Sequence, residues 1–112
     1  MSDNVMIVAI FGLAGLLLAI LGVPLMLRKV GPNMFYGCRT KRTLSSPDVW
    51  YEVNAACGRN LIVAGVLVAI LAGLSPLVVP ALGADLTTAL MIVALLSAVL
   101  AAFLLANRSY RP

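Results

Sequence analysis

Three apolar runs, over about residues 5–27, 59–79 and 86–106, constrain this chain more than any other feature. At 1.5 Å per helical residue, each is long enough to cross a hydrocarbon core of about 30 Å. A backbone in that core must satisfy its own N–H and C=O groups, so a run of this kind has to be helical. The chain is 62% hydrophobic and only 11% charged, whereas soluble domains are about a quarter charged. The sequence therefore predicts an all-α integral membrane three-helix bundle, a single membrane domain over residues 1–112 with no separate soluble one.

The first run is preceded by Met-Ser-Asp-Asn, which is acidic, and no Ala-x-Ala site follows it. It reads as a span rather than a signal peptide. Gly12, Gly15, Ala19 and Gly22 recur at steps of three and four, a small-residue stripe that lets another helix approach closely. Ser46, Pro47 and Asp48 look like a helix start, with a hydroxyl cap, a proline at the first position and an acid near the positive end of the dipole. From there an amphipathic start leads into the second span. That span meets Ser75-Pro76, where a bend is expected. Trp50, Asn54, Gly58, Gly65, Ala69 and Gly73 share one face of this helix. Pro80, Gly83 and Asp85 read as the second loop, with Asp85 as N-cap of the third span. There Ala94, Ala98, Ala102 and Ala106 form another close-packing stripe.

Six of the eight basic residues lie between Arg28 and Asn60, and the other two, Arg108 and Arg111, lie in the C-terminal tail. Three spans put both groups on one side, leaving the other side Asp3 and Asp85. The net charge of +4 is thus a topology signal rather than a nucleic-acid footprint. The positive-inside rule places the N-terminus outside, and the C-terminus and residues 28–58 in the cytoplasm. Thiols stay reduced there, so Cys38 and Cys57 are expected to be free.

Chemistry is sparse. The chain has no histidine, its cysteines are too far apart for a metal knuckle, and no cofactor site is expected. No acid sits in the middle of a span, which argues against proton-coupled transport. No nucleophile–base pair, paired-carboxylate cleft or phosphate loop is present, so no enzyme is expected. Asp48 and Glu52, one helical turn apart, read as an acidic patch or as partners for Arg39, Arg42 or Arg59. Arg39-Thr40-Lys41-Arg42 could contact anionic lipid, and Asn54 and Arg59 are polar groups at the interface. The small-residue stripes suit a homo-oligomer and internal packing equally well.

One segment carries a resemblance. Pro32-Asn33, Tyr36-Gly37 and Arg39-Thr40, followed by Trp50, Asn54 and Gly58, resemble the Pro-Asn-x-x-Tyr-Gly-x-Arg-Thr loop and Trp-x-x-x-Asn-x-x-x-Gly helix of the SdpI family of membrane proteins. The likeness runs over roughly residues 21–72. It implies a multi-pass protein of the bacterial plasma membrane. It also implies, by way of the family's namesake, immunity to a secreted membrane-active toxin, together with signalling that holds a repressor at the membrane. From the residues themselves, Asn33, Tyr36, Gly37, Arg39, Thr40, Trp50, Asn54, Gly58 and Arg59 are expected to form a polar cap on the bundle, with Arg39 against Asn54, Glu52 or a loop carbonyl. The leading expectation is immunity by binding a toxin peptide in the bilayer, where the small-residue grooves accept an incoming helix. The alternatives are an accessory subunit of a larger membrane complex and a holin-like pore former.

Overall fold

The computed structural model describes residues 2–33, 36–37, 40 and 43–109, with backbone alone at Ser109. They form three helices, α1 (Asp3–Met26), α2 (Pro47–Leu82) and α3 (Ala84–Ser109), each long and apolar enough to cross a membrane. Leu13, Leu77, Val93 and Leu96 are more than half exposed, as are many other aliphatic side chains on the helices. A water-soluble protein rarely leaves so much apolar surface open. The bundle is elongated, 50 Å along its longest axis.

The start of α2 follows the sequence closely: Ser46 accepts from the Val49 amide at 3.2 Å with Pro47 in the first turn. At the start of α1, Ser2 accepts from the Val5 amide. The second loop differs from expectation. Helix α2 runs past the expected end of the span near residue 79 and contains both Pro76 and Pro80. Pro76 has no N–H for the carbonyl four residues back, which belongs to Ala72. The Ser75 hydroxyl donates to that carbonyl at 2.7 Å instead, the kind of local substitution that lets a membrane helix carry proline. The predicted Pro80-Gly83-Asp85 loop shrinks to Gly83 alone, at φ 85. Asp85 therefore lies in the first turn of α3 and is not its N-cap. The Gly83 carbonyl accepts from both the backbone N–H and the hydroxyl of Thr87.

With so short a turn, α3 folds straight back along α2. Helix α2 is the centre of the molecule: α1 lies along it most extensively, α3 less so, and α1 and α3 barely touch. Glycine sets the α1–α2 distance. A Cβ on Gly22 would stand 2.5 Å from the Gly58 carbonyl oxygen, and one on Gly58 would stand 2.5 Å from the Gly22 carbonyl oxygen and the Met26 amide nitrogen. Gly15 meets Gly65 and Ala69 in the same way, a Cβ there falling 2.5 Å from the Gly65 carbonyl oxygen. The stripe on α1 and the small-residue face of α2 are thus mated to each other inside one chain. Gly12 and Gly73 belong to the sequence pattern, but a Cβ on either would have nothing within 4 Å of it.

Helix α3 uses its alanines. Ala102 and Ala106 are buried, Ala106 packs with Val53 and Cys57, and Ala98 packs against Val68 and its neighbours. The Asn60 amide donates to the Ala102 carbonyl at 3.1 Å, a polar tie between α2 and α3. Asn60→Val should lower stability in detergent by about 1 kcal/mol, the usual worth of an interhelical hydrogen bond in a bilayer. Equal unfolding midpoints for the two proteins would remove the tie from the account. All three helices meet at one end, where Ile7, Phe11, Val68, Ala72 and Met91 form a core.

Candidate functional site

At the opposite end the chain between α1 and α2 folds over the start of α2. Trp50 and Asn54 are one turn apart and almost wholly buried, at 0% and 1% exposure. The Trp50 indole N–H donates to the Val30 carbonyl at 2.8 Å, and the Asn54 amide donates to the Trp50 carbonyl at 3.0 Å. Gly37 passes directly above them at φ 115. A methyl group there would lie 2.7 Å from the Asn54 side-chain oxygen and 3.2 Å from the Trp50 ring. Two constraints thus call for glycine at this position: a backbone conformation that L side chains rarely adopt, and no room for a Cβ.

Short-range polar contacts shape the rest of the loop. Asn33 closes a local turn, its side-chain oxygen accepting from the Tyr36 amide at 2.6 Å and its NH₂ donating to the Gly31 and Tyr36 carbonyls. Such side-chain turns are a common use of asparagine. The Tyr36 hydroxyl donates to the Leu21 carbonyl of α1, stapling the loop to that helix. Desolvation by partial burial raises the Tyr36 phenol above its ordinary value of 10.0, so it stays a donor through the neutral range. Thr40 and Thr43 hold a second turn through reciprocal backbone-to-hydroxyl bonds of 2.7 and 3.1 Å, and Thr43 is fully buried.

The expected cap residues therefore separate into groups. Tyr36, Gly37, Trp50 and Asn54 form its packed centre and staple, while Asn33 and Thr40 shape the loop that covers it. Gly58 belongs instead to the α1–α2 contact, because its missing Cβ lets the Gly22 and Met26 backbones approach. Arg59 is exposed on α2 beside that contact and has no ion pair among the described residues. Arg39 lies outside the described residues, as do Cys38, Lys41, Arg42, Tyr110 and Arg111, so the expected Arg39 contact and the basic lipid patch lie there too. Two expectations change. Glu52 pairs with Arg28 at 3.0 Å rather than with Arg59, because Arg28 stands directly across from it at the end of α1. Cys57 is disulfide-bonded rather than a free thiol, at a buried position packed with Val53 and Ala106.

The arrangement defines a class: a multi-pass helical membrane protein whose connecting loop is sealed onto one end of its central helix. Within that class, the chain belongs to the SdpI/YfhL protein family, which it matches over residues 29–106. No curated protein and no solved structure matches it. The matched region takes in the loop, α2 and nearly all of α3, and leaves out α1.

Proposed function

We propose that the chain is a non-enzymatic member of this family that confers immunity to a membrane-active toxin by binding a helical segment of it within the bilayer. The supporting observation is a groove between α1 and α3. The two helices run in the same direction on separate sides of α2 and leave an apolar furrow of about 530 Å³, lined by Ala14, Leu17, Leu18, Leu95, Val99 and Phe103. The glycine faces expected to receive an incoming helix are already occupied by each other, so the furrow is the receptor surface in this reading. Ala14 is a small residue in its lining, and close packing of side chains drives helix association where lipid offers no hydrophobic advantage. Production of the chain in a toxin-sensitive bacterium is expected to raise survival under a family-type toxin. Survival no better than that of cells with an empty vector would count against the role.

For orientation, the basic residues favour a cytoplasmic loop and C-terminus. The disulfide at Cys57 favours the opposite side, since such bonds persist in oxidising compartments. We take the charge rule as the stronger guide. A C-terminal fluorescent-protein fusion should then light up and an alkaline-phosphatase fusion stay silent; the reverse pattern would invert the topology.

A further inference from the structure

A second cavity lies at the capped end and has no part in the groove reading. It measures about 320 Å³ and is lined, among the described residues, by Arg28, Asp48, Tyr51 and Glu52. We propose that it binds the ethanolamine phosphate headgroup of a membrane lipid, with the phosphate on Arg28 and the ammonium between Asp48 and Tyr51.

Depth is the first argument. A hydrocarbon core of about 30 Å takes up about twenty residues of α1. Counted from Val5 it ends near Leu25, so Arg28 stands in the headgroup layer. Glu52 is level with Arg28 through their 3.0 Å contact, and Asp48 is one helical turn, about 5–6 Å, further from the membrane centre. In this lipid the phosphate likewise lies nearer the acyl chains and the amine further out.

Charge and donor chemistry narrow the choice. Among the described residues, one guanidinium faces two carboxylates, a balance that disfavours a purely anionic headgroup. Glu52 engages one guanidinium nitrogen, and Arg has five N–H donors in all, which leaves donors for a phosphate. A primary ammonium can donate to Asp48 and lie on the Tyr51 ring face; a trimethylated one cannot donate at all.

The backbone points the same way. Helix α1 ends with the Lys29 amide donating to the Pro24 carbonyl and the Arg28 amide to the Leu25 carbonyl, with Arg28 at φ 60. This is the helix-ending position that glycine usually fills. An arginine there is conformationally unfavourable, so its presence calls for a use of its side chain.

The test uses the full chain in detergent micelles doped with equimolar phosphatidylethanolamine, phosphatidylcholine and phosphatidylglycerol, read by native mass spectrometry. Retention of the ethanolamine lipid is expected to exceed that of each of the others about tenfold, as for a site built around donors its competitors lack. Arg28→Gly and Asp48→Asn should each bring retention down to the choline level. Arg28→Gly should leave the melting temperature unchanged or raise it, since glycine suits that backbone and an exposed ion pair contributes little. Displacement of the lipid by soluble phosphoethanolamine would support headgroup recognition. Equal retention of ethanolamine and choline lipids, preference for the glycerol lipid, or unchanged retention in Arg28→Gly would overturn the proposal. So would binding of soluble phosphoethanolamine without binding of the lipid.

Discussion

Alanine at Gly58 is expected to destabilise the bundle by about 2–3 kcal/mol, the upper range for overpacking a close contact. The added methyl would meet two backbone atoms of α1 at 2.5 Å, the Gly22 carbonyl oxygen and the Met26 amide nitrogen. Backbone cannot rotate away as the tip of a side chain can, so the helices must separate or slide. Alanine at Gly22 should cost about as much, because its Cβ meets the Gly58 carbonyl at the same distance. The controls come from the same sequence pattern: Gly12→Ala and Gly73→Ala place a methyl in open space. They should be neutral or slightly stabilising, since alanine is the better helix former. Reversible unfolding in mixed micelles would measure all four. A loss at Gly12 equal to that at Gly58 would mean that the glycines act through helix propensity or an external partner rather than through this contact.

Trp50→Ala should be the most damaging single change in the cap, at about 3–5 kcal/mol for truncating a buried aromatic. Trp50 has 0% exposure, supports the Gly37 backbone across its ring, and supplies the donor for the Val30 carbonyl. Two effects are combined there, and Trp50→Phe separates them. Phenylalanine keeps most of the ring contact but orphans the carbonyl, for an expected loss of about 1–3 kcal/mol. Protease cleavage between α1 and α2 offers a second readout. The wild-type loop should resist, Trp50→Ala should be cut quickly, and Trp50→Phe should fall between them. Equal resistance in all three would show that the loop is not held by this residue.

How much of this was legible in the sequence varies with the physics involved. Three spans follow from apolar length alone, and the start of α2 follows from Ser46-Pro47, because both signals are local. The end of α2 was not readable in the same way. Pro76 normally signals a break, and only the Ser75 hydroxyl's bond to Ala72 explains why the helix continues. The small-residue stripes were visible as patterns, but a pattern does not name its partner. Gly15, Gly22, Gly58 and Gly65 turn to one another, whereas Gly12 and Gly73 share their spacing but would give an added Cβ nothing within 4 Å. In the cap, Trp50, Asn54 and Gly37 could be picked out as rare residue types in an apolar chain. Thr43 could not, because an ordinary threonine in a polar loop gives no sign of being fully buried. The Arg28–Glu52 pair was missed for a related reason: it depends on the register in which α1 crosses α2, which only the glycine contacts fix.

Family membership fixes what kind of protein this is, and in the proposed reading the glycine-mated pair of α1 and α2 leaves the furrow between α1 and α3 as the surface for a toxin helix. Filling the groove between α1 and α3 tests that account most directly. Ala14→Trp puts an indole into the furrow, whereas Val66→Trp puts the same group on an exposed face of α2 outside it. Both variants would be produced at wild-type membrane levels in toxin-challenged cells, and survival counted. Protection should be lost with Ala14→Trp and kept with Val66→Trp. Full protection by Ala14→Trp would contradict the groove as the site of action.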